Sequence, residues 1–197
     1  MNIDNLIQDI SRIHYDNILA WHTAGVCIQQ EGLLKLIEEN HAFNFQLWQA
    51  EDRARREDMG HSFVYEAKRA IDSFNQQRNN RMESIDEWLA NTITLSTAED
   101  CPVHSETPGM IVDRLSILSL KSHYMTLQTT RPNTDASHRQ LCQQKSQVLR
   151  AQHTQLTQCL QHFLQDLHHQ VRTFRRYQQF KMYNDPNLNP ELYTHSS

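Results

Sequence analysis

Apolar residues recur at every third or fourth position along most of this chain, which is the period of an amphipathic α-helix. Near the start, for example, Leu6, Ile10 and Trp21 fall on one helical face. The 197 residues include only four glycines and five prolines, so the turn chemistry of a many-stranded β fold is missing. We therefore predict an all-α fold. The predicted helices cover residues 3–21, 33–59, 62–93, 108–128 and 135–183, and the pattern leaves open whether the last of them is continuous or kinked.

Glycine, proline and capping residues mark the interruptions between these helices. Gly25 follows the first predicted helix, and Gly60 lies between the second and the third. Residues 94–108 have the composition of a loop. At the end of this loop Thr107 offers an N-cap, and Pro108 occupies the first helical position. The fourth helix is therefore predicted to begin here.

Helices of this length bury their apolar faces best when they pack side by side. We therefore predict one domain, residues 1–197, built as a bundle of about five long helices. Residues 184–197 contain two prolines and are predicted to form an irregular C-terminal tail.

Composition limits the partners. A net charge of -4 gives no general attraction to nucleic acid or anionic lipid. No apolar run approaches the roughly 20 residues that cross a bilayer, and the first ten residues lack the features of a signal peptide. We therefore expect a soluble, cytoplasmic protein with no membrane partner.

The second and third predicted helices carry a polar stripe beside an apolar seam. On the second helix the seam includes Leu36 and Phe43, and one position further round lie His41 and Asn44. If the two stripes face each other, their charges meet in a partly desolvated space, where an unpaired charge costs several kcal/mol. Such charges must pair with each other or with a ligand.

These stripes and the fourth helix supply the candidate site. The candidate acid or base groups are His41, Glu51, Asp72 and Asp113. The candidate ligand-binding residues are Asn44, Trp48, Asp52, Arg55, Lys68, Arg69, Asn75, Arg78, Asn79, Arg114 and Lys121.

The leading hypothesis is a pocket between the second, third and fourth helices that binds or acts on an anionic, sugar-like or phosphate-bearing small molecule. Two simpler interpretations remain open: a buried polar network that holds helix register, and solvated outer faces with pairs such as Lys68 and Asp72. A further alternative is a scaffold protein that forms a homodimer through its long fifth helix.

Metal and cofactor signals are weak. Glu38 and His41 have the Glu-x-x-His spacing of di-iron bundles, but no second motif accompanies them. The twelve histidines do not form a closed set of four zinc ligands. The four cysteines are widely spaced without a Cys-x-x-Cys pair, so we interpret them as reduced thiols. We expect neither a metal nor a cofactor.

Cations and aromatic residues alternate at the end of the fifth predicted helix. Such residues can bind phosphate or stack on bases. Basic residues also suit the C-terminus of a helix, and the chain as a whole is acidic, so the sequence does not favour nucleic-acid binding. The residues concerned are Arg172, Arg175, Arg176, Tyr177, Phe180, Lys181 and Tyr183.

Four long strings resemble a bacterial family, the domain of unknown function numbered 4254. They are HAFNFQLWQAEDRAR at 41–55, KRAIDSFNQQRN at 68–79, TPGMIVDRLSILSLK at 107–121 and YQQFKMYNDP at 177–186. The resemblance covers nearly the whole chain and implies a link to envelope polysaccharide metabolism without fixing an activity. Where the family is expected to have a histidine after the tryptophan, this chain has Gln49.

Overall fold

The computed structural model describes residues 2–178, 180, 182 and 185–193. In this part of the chain five long helices form a bundle, which confirms the predicted all-α fold. They are α1 (Ile3–Ala24), α2 (Gly32–Ala54), α3 (His61–Thr92), α4 (Pro108–Thr129) and α5 (Ala136–His168). The smaller elements are a 3-10 turn (Glu57–Met59), the strands β1 (Val103–His104) and β2 (Thr173–Phe174), and a last short helix, α6 (Pro190–Tyr193).

Side-chain caps begin three of the long helices. Asn2 accepts a hydrogen bond from the backbone N–H of Asn5 at the start of α1. The predicted cap of α4 is confirmed, because the Thr107 side chain accepts from the N–H of Met110 and Pro108 follows it. Such caps satisfy backbone donors that have no partner inside the helix.

The second helix is shorter than predicted. It ends at Ala54 and not at Met59, because the N–H of Arg55 turns back to the carbonyl of Asp52 and a 3-10 turn follows. The stretch after Ala54 has no apolar face to hold an α-helix on the bundle, and Gly60, with φ of +89°, completes the reversal into α3.

The fifth helix was predicted to reach Tyr183, and this prediction is wrong. The helix ends at His168, and Gln170 adopts a left-handed conformation with φ of +58°. The N–H groups of Gln170 and Val171 donate to the carbonyls of Leu167 and Asp166, which is the pattern of a Schellman cap.

A short parallel ladder follows this cap. Val103 pairs with Thr173 and His104 with Phe174, so the loop before α4 is tied to the segment after α5. Phe174 is buried in the main core and contacts the Phe163 ring edge-on. Burial of Phe174 holds the chain against the bundle, whereas a longer α5 would have carried it away from the bundle.

The core has two parts. The larger cluster lies between the first halves of α1, α2 and α4 and the second halves of α3 and α5. The smaller one contains Ile18, Trp21, Phe45 and Leu120. Among the described residues, no helix is both long and apolar enough to cross a membrane.

Helices α3 and α4 approach closely at Gly109. A Cβ atom there would collide with the Met82 carbonyl oxygen and lie 2.9 Å from Asp86 Oδ1. The N–H of Gly109 donates to that same Asp86 oxygen over 2.7 Å. Burial raises the pKa of Asp86 to about 6, although its hydrogen bonds from Thr107 and Gly109 act in the opposite direction.

Candidate functional site

A buried carboxylate joins three helices at the centre of the candidate site. Asp113 on α4 is only 3% exposed. Its Oδ1 accepts hydrogen bonds from the side-chain amides of Asn40 and Asn44 on α2, over 3.1 and 2.9 Å. Arg78 Nε on α3 lies 3.1 Å from the same oxygen and forms an ion pair with it. Its N–H bond does not point at the oxygen, so this contact is not a hydrogen bond. Asp113 is thus paired with a cation and with amide donors, as a buried charge requires.

The network continues from Asp113 towards α1. The amide of Asn44 also donates to Ser116 Oγ over 3.0 Å, and Ser116 Oγ lies 2.7 Å from His41 Nδ1. Which of these two groups donates depends on the tautomer of the His41 ring. Among the described residues, no group forms a hydrogen bond with the buried His41 Nε2.

Two histidines lie together at the inner end of this network. The rings of His14 and His41 are 4.6 Å apart, and the Trp21 ring is 5.3 Å from that of His41. Burial lowers the pKa of His41 to about 3, although the backbone of His14 acts against this. Burial lowers the pKa of His14 well below its ordinary value, and electrostatic interactions with His41 and His153 lower it further. Both rings are therefore neutral at physiological pH.

A pocket lies at the outer end of the network, between α2, α3 and α4. Its volume is about 280 Å³. Asn44 and Arg78 form the part of its wall that is tied to Asp113. The complete wall consists of Asn44, Leu47, Trp48, Glu51, Asp52, Arg55, Arg78, Ile117 and Leu120.

Charges in this pocket are largely paired before any ligand arrives. Arg55 Nη1 lies 2.8 Å from Glu51 Oε2 on the same helix, and Arg78 contacts Asp113. Asp52 is exposed at the edge of the pocket. Trp48 is held by parallel stacking on Tyr124, with ring centroids 4.7 Å apart. Burial raises the pKa of the Tyr124 hydroxyl, and the negative charge of Asp52 raises it further.

Six predicted residues, on α2, its C-cap and α3, thus meet in one pocket. Asn44, Trp48, Glu51, Asp52, Arg55 and Arg78 share its wall. This cavity lies between α2, α3 and α4, and its use as a ligand pocket stays a prediction.

The family comparison covers the helices that build this pocket. The family described as "Protein of unknown function (DUF4254)" matches residues 34–176. The chain belongs to this family. No curated protein and no solved structure matches this chain.

The DUF4254 match includes every residue predicted for the site, from His41 to Lys121, and extends to the segment after β2. It begins inside α2 and leaves α1 outside. His14 therefore lies beyond the matched region, although its ring contacts that of His41.

Other predicted residues of this DUF4254 chain lie outside the pocket wall. On α3, Asp72 Oδ1 is 3.9 Å from Lys68 Nζ, in an exposed pair within one helix. Arg69 is exposed, while Asn75 Oδ1 lies 3.5 Å from Arg78 Nη1 and so contacts the network from outside. Asn79 is half-buried on the same helix. The third helix thus brings Arg78 alone of its predicted residues to the pocket wall.

Arg114 and Lys121 line a different cavity, between α4 and α5, with a volume of about 600 Å³. There Arg114 Nη1 pairs with Glu106 over 2.6 Å. Because neighbouring positions on a helix point about 100° apart, Arg114 faces α5 although Asp113 faces α2.

The Glu38 and His41 motif has a structural role. Glu38 Oε2 accepts from the backbone N–H groups of Gln29 and Gln30, each over 2.8 Å, and Oε1 accepts from Asn17. Glu38 therefore holds the loop between α1 and α2 in place. Among the described residues, no three His, Cys, Asp or Glu side chains are grouped so that they could hold a metal ion.

Of the basic and aromatic residues predicted at the end of the fifth helix, Arg172, Arg175, Arg176 and Tyr177 lie on irregular chain beside β2, so their assignment to a helix C-terminus is wrong. Arg172 Nε is 3.3 Å from Asp166, and Arg176 Nη1 is 3.9 Å from Glu87. Phe180 is 79% exposed. Lys181 and Tyr183 lie outside the described residues.

Three network residues were absent from the predicted site. Asn40 was counted in the apolar seam, where a polar side chain is itself a signal of a buried hydrogen bond. Ser116 follows Asp113 by three positions and therefore shares its face. His14 falls on the apolar face with Ile10 and Ile18, which was the available signal for a buried histidine.

Proposed function

We propose that the pocket between α2, α3 and α4 binds a small, hydroxyl-rich, sugar-like molecule. The observation that carries the proposal is the attachment of Asn44 and Arg78 to the buried Asp113 carboxylate. These two pocket-wall groups are held in place by the protein interior before a ligand arrives, which lowers the entropic cost of binding.

The size of the pocket favours a ligand of one sugar ring. Its volume of about 280 Å³ is at the lower end of the range of small-molecule pockets, which is roughly 300 to 1,000 Å³. Its wall combines an aromatic ring, Trp48, with apolar and polar side chains. This mixture is usual in small-molecule sites, where a few polar groups fix the orientation of the ligand.

The charges favour hydroxyl groups over phosphate. Arg55 and Arg78 are each paired with a carboxylate, and Asp52 adds a further negative charge. Sugar hydroxyls can donate to Glu51 and Asp52 and accept from the guanidinium of Arg55. A phosphate group would meet these carboxylates without a free arginine, so the phosphate-bearing ligand of the sequence hypothesis is less well supported than the sugar.

The candidate acid and base groups favour binding over catalysis. His41 is enclosed by Ser116, His14 and Trp21, and Asp113 is occupied by two amide donors and the Arg78 guanidinium. Asp72 lies outside the pocket wall, which leaves Glu51 as the one candidate of this group on it. Glu51 is paired with Arg55, and Asp52, the other carboxylate of the wall, is exposed at its edge, so neither is held as the free acid or base that glycosyl transfer requires.

A ligand screen tests the proposal. Thermal unfolding is followed with glucose, galactose, N-acetylglucosamine and glucose 1-phosphate, since a ligand selective for the folded state raises the melting temperature. We expect at least one neutral sugar to raise it. Asp52→Asn should weaken the binding of that sugar about tenfold, because the loss of a hydrogen bond to a charged group costs about 1.5 kcal/mol.

Glu66→Gln is the matched control, because Glu66 is exposed on α3 and lies outside the pocket wall. The control should bind the sugar as the wild type does. Failure of all neutral sugars to shift the transition, or equal weakening by both substitutions, would refute the proposal. Consumption of the bound sugar, seen by NMR, would indicate an enzyme and contradict the binding assignment.

Envelope polysaccharide metabolism, which the family resemblance implies, agrees with a sugar ligand and is part of this proposal. Self-association through α5 has less support. The helix has 33 residues and α3 has 32, so its length does not distinguish it as a dimerisation element.

A further inference from the structure

A second large cavity lies on the other side of α4. It is a groove between α1, α4 and α5 with a volume of about 640 Å³, more than twice that of the proposed sugar pocket. On α4 it uses Ser119, Ser122 and Thr126, which project roughly half a turn away from Ile117 in the sugar pocket. We call it the α1–α4–α5 groove. Its wall is formed by Ser11, Tyr15, Ile18, Leu19, Ser119, Ser122, His123, Thr126, Leu127, Arg150, His153 and Thr154.

The α1–α4–α5 groove carries a cation without a matching carboxylate. Among the described residues its wall contains Arg150 but neither Asp nor Glu. None of the ion pairs found in that part of the chain involves Arg150. In the sugar pocket Arg55 and Arg78 are paired with Glu51 and Asp113, and in the cavity between α4 and α5 Arg114 is paired with Glu106. The groove thus has a cation and no carboxylate on its wall, a charge that suits an anion.

A buried hydroxyl on the groove wall also lacks a partner. Ser122 Oγ is shielded from solvent and has no hydrogen-bond partner among the described residues, its own helix included. A buried hydroxyl left unpaired costs about 1 to 3 kcal/mol. Nearby hydroxyls are engaged, since Ser119 donates to the carbonyl of Leu115 and Thr126 to that of Ser122. Ser122 is thus a donor that a rotation about χ1 would offer to a ligand acceptor.

One of the two histidines on the groove wall, His153, is fixed by its neighbours. Because Ser119 donates its hydrogen to the carbonyl of Leu115, its oxygen accepts from His153 Nε2 over 3.2 Å. His153 is thus engaged within the protein, whereas Arg150 and Ser122 are donors that an anion can use.

Apolar side chains are exposed in the same groove. Tyr15 is 66% exposed, Leu127 is 50% exposed and Leu19 is 47% exposed. Their exposure costs free energy in water, and an apolar ligand body that covers them recovers about 25 cal/mol for each Å² removed from solvent. A cation at one position and apolar side chains along the rest suit a ligand with one charged end.

We infer that the α1–α4–α5 groove binds an amphiphilic anion, a molecule with one acidic head group and an apolar body. Arg150 and Ser122 bind the head group, and Tyr15, Leu19 and Leu127 contact the body. The volume of the groove accommodates a ligand of drug-like size. The inference is independent of the sugar pocket, because the two cavities share no residue of their walls.

Three probes separate the parts of this proposal in calorimetric titration of the full chain. Octyl phosphate has both head group and body, octyl glucoside has the body with a neutral head, and inorganic phosphate has the head alone. We expect octyl phosphate, below its micelle concentration, to bind at least about tenfold more tightly than either of the others, since a charge-assisted hydrogen bond is worth about 1.5 kcal/mol or more.

Two substitutions at exposed positions of α5 complete the test. Arg150→Gln should weaken the binding of octyl phosphate about tenfold and leave the affinity for octyl glucoside unchanged, because the substitution removes only the charge. Lys145→Gln is the matched control, since Lys145 is exposed on the same helix outside the groove wall, and it should change neither affinity.

Equal affinities for octyl phosphate and octyl glucoside, or an unchanged octyl phosphate affinity in Arg150→Gln, would overturn the inference. So would the absence of octyl phosphate binding at millimolar concentration. Helical circular dichroism of both variants checks that they fold. The titrations contain excess glucose, which occupies the sugar pocket if that proposal is right, so octyl glucoside reports on the groove and a failure of either proposal leaves the other standing.

Discussion

At the scale of single residues, His41 shows how burial sets a protonation state. Its ring is fully buried, contacts His14 and Trp21, and is hydrogen-bonded to Ser116. A charged imidazolium there would lose its hydration without gaining a carboxylate partner, so the neutral form dominates. Folding therefore excludes a proton that the unfolded chain binds in mildly acidic solution.

This exclusion makes the contribution of His41 depend on pH. The pKa of His41 is lowered to about 3, from 6.5 in the unfolded chain. The unfolded state therefore binds more protons between these values, and stability falls as pH falls through this window, by about 1.4 kcal/mol per pH unit. The stabilisation is fully present above pH 6.5.

We expect the free energy of unfolding of the wild type, minus that of His41→Asn, to decrease as pH is lowered from 7.5 to 4.5. Urea unfolding at several pH values measures this difference. The difference is needed because Asp86 acts in the opposite direction in the wild type and the variant alike. Since its pKa is raised to about 6, its protonation stabilises the folded state as pH falls over nearly the same range. His162→Asn, at an exposed position, is the control. A constant difference for His41→Asn would show that His41 is not buried in the neutral form.

At the scale of elements, the end of α5 decides where the C-terminal segment goes. Gln170 takes a left-handed conformation with φ of +58°, which allows the next residues to turn back and form β2. For residues other than glycine this conformation costs roughly 1 kcal/mol or more. The cap hydrogen bonds and the burial of Phe174 offset this cost.

Gln170→Gly should therefore stabilise the protein by about 1 kcal/mol, because glycine adopts positive φ without a steric penalty. Gln170→Ala, which retains a Cβ atom, should leave the free energy of unfolding nearly unchanged. Both are measured by urea unfolding at neutral pH. If glycine proves less stable than alanine, the left-handed cap is not the conformation of this segment.

At the scale of the whole molecule, Asp113 connects the helices that enclose the sugar pocket. It contacts two amides of α2 and the guanidinium of Arg78 on α3 from its own position on α4. The ion pair between Arg81 and Glu39, with 2.8 Å from Nε to Oε2, fastens α2 to α3 a short distance away. Polar contacts thus fix the relative positions of helices whose apolar packing alone would tolerate slippage.

A double-mutant cycle tests this connection. Asp113→Asn leaves Arg78 without its carboxylate, and since the Arg78 side chain is only 23% exposed, we expect a loss of about 2 kcal/mol, below the value for fully buried pairs. Arg78→Met removes the stranded charge, so the double variant should lose less than the sum of the single losses. Strictly additive losses, measured by urea unfolding, would show that the pair is not coupled.

Local pattern alone determined much of the fold. The period of apolar residues predicted the five helices, and a threonine followed by proline predicted where α4 begins, because caps and helix faces are set by residues a few positions apart. The same local rule grouped Asn44, Trp48 and Glu51, since positions spaced by four and three share a helical face.

Tertiary structure decided which faces meet. Helix packing brought Arg78 to Asp113 and turned the adjacent Arg114 towards α5, a choice that depends on the rotation of α4 and not on its sequence pattern. The end of α5 at His168 depends on a cap at Gln170, a residue without a sequence preference for the left-handed conformation. The α1–α4–α5 groove arises from three helices far apart in the chain, so local spacing carried no signal for it. Burial and charge pairing are properties of the packed bundle, and only the packed bundle reveals which polar residues form a site.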